Sequence, residues 1–494
     1  MVLNNINGQT DANAAAKQVL SDLSQGGHSA VDTLLQVSAA LASENIAPDD
    51  GEDSPASEPT PLPNKKIGMQ EREKLEKAAA AASRNFSASD REELLQRVRF
   101  TPRFGDNFAT EDFEQLLVHC AKLGASDINL QTNEPVIIEL ANQYVPITER
   151  ALRKEEITTL LTMLYGSHAE SQMKNGNDLD KAYALRMNNS RYKFRVNITG
   201  CDIRGYDGSQ TTLRTIRADP MRLSEMRVEQ GIVDNYLHKD GLVVICGPTG
   251  SGKSSLLAGI ICAILENPDS HKKIITYEKP IEYTYELVPK PTSLIAQTEI
   301  GRHLVGTKDM PEFERAVRNS LRRAPKILLV GETRDKATME ASLEAAQTGH
   351  LLYTTLHTNN SVGEALYRML NLFPADLRES KLYEIVESLR LVVIQRLERS
   401  TQGGRVPIRE FLAFKPAMLD KLVRCKEMRD IVVAANEFVA EEGQPMVISA
   451  ENRYLEGLLP YSTYRAYCTA NGRTPLPPQF DEPQPEDHAK ETTA

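Results

Sequence analysis

Five stretches of this sequence carry residue types at spacings that could do chemistry. The first is Gly247-Pro248-Thr249-Gly250-Ser251-Gly252-Lys253-Ser254, which follows the apolar run Leu242–Cys246 and leads into Ser255-Leu256-Leu257-Ala258. It fits G-x-x-x-x-G-K-[ST] in the strand, loop and helix order that this pattern needs. Glycines let the backbone bend so that successive N–H groups point at phosphate oxygens, at a helix N-terminus where anions are favoured. Lys253 would neutralise the β- and γ-phosphates, the Ser254 hydroxyl would ligate Mg²⁺, and residues 247–255 would form the cradle for ATP. The loop by itself does not separate a motor from a kinase, a GTPase or a DNA-handling ATPase.

Four more stretches follow it. Ile274–Tyr277 ends at Glu278-Lys279-Pro280-Ile281-Glu282, and Ile327–Val330 ends at Gly331-Glu332-Thr333-Arg334-Asp335. Carboxylates at the C-terminal ends of parallel strands face the crevice where ligands bind. Gly349–Asn359 carries His350 and His357, one at each end of an apolar strand, and Arg315, Arg318 and Arg322 share a helix face. Each has a bland alternative: a solvated acid, a structural histidine, a wet helix face. Their joint order behind the glycine loop is what the bland readings do not explain.

The elements that must position these residues fall into segments. Residues 1–107 read as an extension: helical patterns at about Asp11–Leu23, Ala30–Ala42 and Glu71–Ala82, a Pro/Ser/acidic stretch Pro48–Pro63 expected to be disordered, and a capping box at Ser89-Asp90-Arg91-Glu92. Residues 108–222 mix helices (Phe113–Leu123, Ile157–Tyr165) with strands (Ile128–Leu130, Pro135–Leu140, Tyr192–Thr199, Thr211–Ile216), an α+β module. Residues 223–470 alternate short apolar strands with helices, which implies an α/β domain with a parallel, doubly wound sheet. The Pro-rich tail 471–494 is expected to be disordered.

Composition narrows the class. The formal charge is −10, but residues 49–58 and 481–491 hold nine of those net negatives, leaving a nearly neutral body. A duplex-binding chain would carry a basic excess, and there is no Trp and no interleaving of aromatic with basic residues for single strands; no strong nucleic-acid footprint is expected. No run reaches the ~20 apolar residues of a membrane span, and the start lacks the basic and apolar regions of a signal peptide, so a cytoplasmic location is expected. The six cysteines form no C-x-x-C pair and read as reduced thiols.

The glycine loop and the acid, acid and two-histidine stretches behind it resemble, in order, the Walker A, Asp box, Walker B and His box of the type II/type IV secretion ATPases (PilT-like). The likeness extends upstream to Gly124-Ala125-Ser126-Asp127-Ile128, Tyr192–Asn197 and Leu213–Ile216. Departures occur at Lys279, at Ala324-Pro325-Lys326 and at Asn129, where the pilus-retraction branch carries acids or a histidine. These fit the type IVB secretion (DotB-like) and conjugative (TraJ-like) branch better. Ala417–Arg424 matches the retraction family's C-terminal motif only in part.

The resemblance implies a PAS-like N-terminal domain, a RecA-like ATPase domain, a homo-hexamer and ATP between the two domains near a neighbouring subunit. It implies docking on inner-membrane secretion or conjugation components from the cytoplasmic face. Within it, Ser254 and Glu332 would organise Mg²⁺, and Glu278 would activate the attacking water, with Glu332 as the other choice and Glu282 close by. His350 and His357 would sense the γ-phosphate or couple it to the sheet. Arg195, Arg204 and Arg214 would stabilise charge as arginine fingers do, and Arg318 and Arg322 are weaker choices, equally suited to salt bridges. Rival readings are a nucleic-acid translocase, a pilus-retraction ATPase and a nucleotide switch without turnover.

Overall fold

The computed structural model describes residues 12–24, 29–43, 47–48, 67, 71–72, 74–75, 78–79, 87–103, 107–140, 143–187, 190–216, 220–301, 303–307, 310–358, 361–401, 405–425 and 427–478. Its contacts divide the chain into two units: Met1–Glu225 with Ala258–Ala316, and Met226–Leu257 with Val317–Ala494. Strands are numbered along the chain: β1 Ala47–Pro48, β2 Asp127–Gln131, β3 Ile137–Leu140, β4 Gln143–Pro146, β5 Leu179–Met187, β6 Ser190–Ile203 and β7 Tyr206–Thr215. They continue as β8 Gly241–Cys246, β9 Lys273–Glu278, β10 Leu294–Glu299, β11 Ile327–Val330, β12 Leu351–Leu356, β13 Leu389–Arg399 and β14 Arg405–Ala413.

In the first unit, residues alternating between core and surface build an antiparallel sheet in the order β1-β6-β7-β2-β3-β4, with β5 on β6. Ile128 and Leu130 of β2, Leu213 of β7 and Ile138 of β3 are fully buried on its core face, while the alternate Asp127 stands opposite Arg214. Helices Thr110–Leu123 and Lys154–Tyr165 bury Phe113, Leu116, Leu117, Leu160 and Leu161 in the same core. Residues 258–316 contribute β9 and β10, which pair in parallel from Lys273↔Leu294 to Glu278↔Glu299.

In the second unit the strands run in the order β11-β12-β8-β13-β14. β8, β11 and β12 are buried at every position, which is why they read as unbroken apolar runs. They and β13 are parallel; β14 departs from the expected parallel arrangement and pairs antiparallel with β13 from Arg399↔Arg405 to Leu391↔Ala413.

Residues 1–107, read as an extension, supply helices that pack into the first unit. Ala12–Ser24 and Ala30–Ala42 contribute Ala16, Val31, Leu34, Leu35 and Val37 to the first unit's core, and Ala88–Val98 adds Leu94 and Val98. The capping box also moves: Ser87, not Ser89, caps Ala88–Val98, its Oγ accepting from Asp90 N at 3.1 Å while Asp90 Oδ2 accepts from Ser87 N at 2.8 Å. Asp90 three residues on completes the reciprocal pair. Apart from Pro48, the stretch expected to be disordered lies outside the described residues, as does the tail beyond 478.

Gly124 shows how closely helix Ala30–Ala42 is seated. It ends helix Thr110–Leu123 at φ 83°, and a Cβ there would overlap the backbone carbonyl of Ser38. Gly176, at φ 77°, has open space around it. Gly124→Ala is therefore expected to destabilise the protein by about 2 kcal/mol or more, from strain plus overpacking. Gly176→Ala should cost only the left-handed strain, about 1 kcal/mol. Thermal melts of the two variants check this.

Candidate functional site

The turn from β8 into helix Lys253–Glu266 is built on three glycines with positive φ: Gly247 at 153°, Gly250 at 77° and Gly252 at 81°. Such values are costly for a residue with a Cβ. Space is as restrictive, because a Cβ on Gly247 would overlap the Gln395 carbonyl and one on Gly252 would lie 2.9 Å from Gln395 Nε2. Two loop carbonyls are taken by donors from β13 and β14: Gln395 Nε2 donates to Ser251 O at 2.7 Å and Arg405 Nη1 to Gly250 O at 3.4 Å. Lys253, 8% exposed, curls back to donate Nζ to Gly247 O and Pro248 O, each at 2.9 Å. Ser251 Oγ is buried without a hydrogen-bond partner. A left-handed glycine turn, a buried ammonium resting on its own loop and an orphan hydroxyl suit a chain of phosphate oxygens.

Strand β12 lies between β8 and β11, with Leu356 opposite Cys246 and Thr354 opposite Val330. Glu332, His357 and the glycine loop therefore leave the second unit's strands at the same edge. Glu332 Oε2 is 2.6 Å from Arg334 Nη2, and its Oε1 is 3.2 Å from His357 Nε2. Burial first, then the Lys253 charge, push the His357 pKa below its ordinary value, against the pull of Glu332. The histidine is thus neutral at neutral pH, and its contact with Glu332 is not an ion pair. Thr355 Oγ1 donates to Gly331 O at 2.6 Å, and the Thr333 and Thr354 hydroxyls are 2.8 Å apart, which holds the backbone ahead of Glu332. Glu332, Arg334, His357, Tyr367, Arg368 and Arg429 line an open cavity of about 1130 Å³.

His350 is not part of this arrangement. It precedes β12 at the opposite end, its carbonyl accepting from Gly241 N at the start of β8 and its Nδ1 lying 3.1 Å from Ala345 O. Six strand residues stand between it and His357, so the two lie about 20 Å apart at ~3.3 Å per residue. Within one chain His350 is thus out of reach of a phosphate at the glycine loop, and coupling to the sheet is the expected role that its place allows. Arg318 makes a salt bridge with Glu344 at 3.7 Å, the alternative left open for that residue.

In the first unit, Glu278 ends β9. Part of the residue reaches solvent, but its carboxyl is ringed by protein atoms, and loss of water pushes its pKa up to about 7, with the Glu282 charge acting in the same sense. Thr276 Oγ1 at 2.6 Å and Gln297 Nε2 at 3.2 Å donate to its Oε1 and oppose the rise. Lys279 pairs with Glu312 at 2.8 Å.

The segment after Glu278 is held by cations at alternate positions of β6. Arg191 pairs with Glu286, Lys193 donates to Thr284, and Arg195 pairs with Glu282 at 3.3 Å. Burial pushes the Lys193 pKa down to about 7. Positions 191, 193 and 195 thus meet 286, 284 and 282 in antiparallel order, both runs at the strand period of two.

Two of the candidate arginines are paired with acids of their own unit. Arg195 is engaged by Glu282, and Arg214 is tied to Asp127, Nε to Oδ1, at 2.9 Å. Arg195 and Arg214 stand opposite each other on β6 and β7, whereas Arg204 sits at φ 54° in the turn between those strands. Nine residues along β6 put Arg204 about 30 Å from Arg195, so the three do not form one cluster in a subunit. Among the described residues no group of three or more His, Cys, Asp or Glu side chains could hold a metal ion. Ser254 and Glu332 offer one hydroxyl and one acid, a donor set of the kind that Mg²⁺ supplements with waters and phosphate oxygens.

Sequence reasoning passed over Thr276, Gln297, Lys193 and Gln395. For Lys193 a signal existed in the matching periods of Arg191-Lys193-Arg195 and Glu282-Thr284-Glu286. For Gln395, which follows the apolar run Leu391–Ile394, there was none that pointed to the glycine loop.

Comparison with known proteins gives the site a context. Residues 105–445 match the family model described as type II/IV secretion system protein. The crystal structure of the Legionella pneumophila ATPase DotB superposes with a TM-score of 0.69 at 36% identity, covering 75% of this chain and 99% of that one. The structure of the pilus retraction motor PilT with bound ADP gives 0.61 at 26% identity, covering 75% and 98%. The type IV pilus retraction ATPase PilT of Pseudomonas aeruginosa is 32% identical over 307 residues, 62% of this chain and 84% of its own.

Removing the Lys253 ammonium takes away the buried cation of the loop. Lys253→Ala should lower affinity for ATP and for ADP by at least tenfold while leaving the melting temperature without nucleotide within a few degrees. Titration with a fluorescent ATP analogue checks this, and unchanged affinity would reject the loop as the phosphate site.

Proposed function

The chain belongs to the type II/IV secretion system protein family and is an ATP-hydrolysing enzyme, and from that premise we propose that it works as a homo-hexameric motor for a type IVB-like secretion or conjugative machine. The observation that carries the finer reading is the likeness to DotB, which spans nearly the whole of that chain at 36% identity, above the 26% of the superposed PilT. Lys279, which pairs with Glu312 where the retraction branch has an acid, supports it. Retraction stays the second reading because PilT of Pseudomonas aeruginosa is 32% identical over most of its length.

Lys253 and the N–H groups of residues 249–255 would hold the phosphates of ATP, and Ser254 with Glu332 would hold Mg²⁺. When bound, the ion supplies charge neutralisation on the phosphate oxygens. His357, neutral beside Glu332, keeps the carboxylate oriented and reports the state of the loop through the charge of Lys253. Glu278 is the general base. A carboxyl at about 7 is matched to taking a proton from water at neutral pH. Arg195 and Arg214 serve as charge donors to a neighbouring subunit only after exchanging Glu282 and Asp127 for phosphate.

No helix among the described residues is long and apolar enough to cross a membrane; we assign the protein to the cytoplasmic face of the inner membrane, held there by partner components of the secretion machine. Hydrolysis that rises faster than linearly with protein concentration, together with hexamers in ATP and Mg²⁺ by native mass spectrometry, is the expected outcome. A monomer with concentration-independent turnover would overturn the motor. Turnover stimulated by DNA would instead favour a nucleic-acid translocase. Restoration of twitching in cells lacking their own retraction ATPase would favour retraction.

The base assignment has a pH signature. Glu278 works deprotonated, so kcat should climb about tenfold per pH unit below its pKa near 7 and level off above it. Glu278→Gln should lower kcat about 10²–10⁴-fold, keep ATP binding and lose that limb. If Glu332→Gln abolishes the limb and Glu278→Gln does not, the base is Glu332.

A further inference from the structure

The glycine loop is held from outside by a buried polar chain that none of the roles above uses. Gln395 of β13 donates Nε2 to Ser251 O at 2.7 Å, and its Oε1 accepts from Arg409 Nε at 2.6 Å. Arg409, on β14 and 1% exposed, continues inward: Nη1 reaches Glu229 Oε2 at 2.9 Å and Arg227 O at 3.0 Å, and Nη2 reaches Met226 O at 3.1 Å. Glu229 is shared, its Oε1 accepting from Arg453 Nη2 at 3.1 Å and from Ser449 Oγ at 3.0 Å. Arg453 Nη2 also donates to Arg227 O at 2.6 Å.

Two features set this chain apart from ordinary core polarity. A guanidinium this deeply buried is costly unless its donors are used, and Arg409 spends them on one carboxylate, one amide and two backbone carbonyls. The segment it grips is unusual as well. Arg227 has φ 47°, a left-handed backbone that a residue with a Cβ adopts at a cost, and its carbonyl is the one held by both arginines. Residues 226–229 are also where the second unit begins. Gln395 thus has one end on the phosphate loop and the other on the group that fixes this segment.

We propose that Gln395 and Arg409 are positioning residues for ATP hydrolysis: they fix the loop carbonyls so that its N–H groups face the phosphates, and they tie the state of the loop to residues 226–229. Neither residue touches nucleotide. When phosphate draws Lys253 away from Gly247 O and Pro248 O, the loop relaxes against Gln395, and the change passes through Arg409 to the clamped Arg227 carbonyl. This rests on the loop being the ATP site.

The test uses the full-length protein. Gln395→Glu keeps an oxygen for Arg409 but puts a second oxygen where the donor to Ser251 O stood, so the Arg409 pairing is kept and the loop contact turns repulsive. The expected result is an ATP-analogue affinity about fivefold or more weaker, at least the worth of one buried hydrogen bond, with a smaller loss of nucleotide-free stability. Arg409→Lys, which keeps the charge but not the fork, should show the same loss. Hydrogen exchange at residues 226–232 should respond to ATP and Mg²⁺ in the wild type and not in Gln395→Glu. Gln395→Glu with wild-type affinity and a wild-type exchange response would overturn the proposal, as would a loss of affinity matched by an equal loss of nucleotide-free stability. A wild type that binds ATP without releasing phosphate would overturn the enzymatic reading, and the proposal would still be decided by the binding and exchange arms.

Discussion

The arrangement of the second unit follows from one constraint: within six residues the backbone must turn from a buried strand into a helix while keeping its N–H groups free for an anion. That geometry uses left-handed φ at Gly250 and Gly252 and leaves no room for a Cβ at Gly247 or Gly252. It also leaves the loop carbonyls in need of partners, since buried unpaired carbonyls are costly. Strands β13 and β14 meet that need with Gln395 and Arg405, and Lys253 takes the carbonyls of Gly247 and Pro248. A buried amide inside strand Leu389–Arg399 follows from that need, and the buried Arg409 and Glu229 follow from the amide in turn.

The first unit solves a different problem, that of keeping a carboxyl near its titration point. Desolvation alone would drive Glu278 higher, and the donors Thr276 and Gln297 hold it back. The acids that follow would raise it further if they were loose. Binding Glu282 and Glu286 to Arg195 and Arg191 screens them, while Lys193, itself driven down by burial, adds a hydrogen bond without a full charge. An arginine in this position has a structural duty before any catalytic one. Charge stabilisation by Arg195 therefore has to compete with Glu282.

What the sequence made legible follows the same physics. Strands β8, β11 and β12 were readable because burial on both faces leaves an uninterrupted apolar run, and the glycine loop because its chemistry admits few residue types. Strands β5, β10 and β13 were not, since their mixed surfaces carry charged and polar residues such as Asp180, Lys181, Gln297 and Gln395 at positions that only their neighbours explain. His350 misled for a related reason: sequence spacing places two histidines around one strand but does not say that the strand's two ends are far apart.

The extension is the clearest case of tertiary override. Small-residue helices such as Ala12–Ser24 look too weak to fold alone, and isolated helices of ~12–15 residues are indeed marginal. In the first unit, though, Ala16 and Val31 are fully buried, and the carbonyl of Ser38 sits against Gly124 at the end of Thr110–Leu123. Alanine and glycine are informative here because they permit close approach, not because they fill space. A scale that counts apolar bulk undervalues such a helix. Gly124 opens the stretch Gly124-Ala125-Ser126-Asp127-Ile128, so the turn against which Ser38 rests leads directly into β2 and to Asp127, the partner of Arg214. A helix read as part of an extension thus backs the strand that sets one of the candidate arginines.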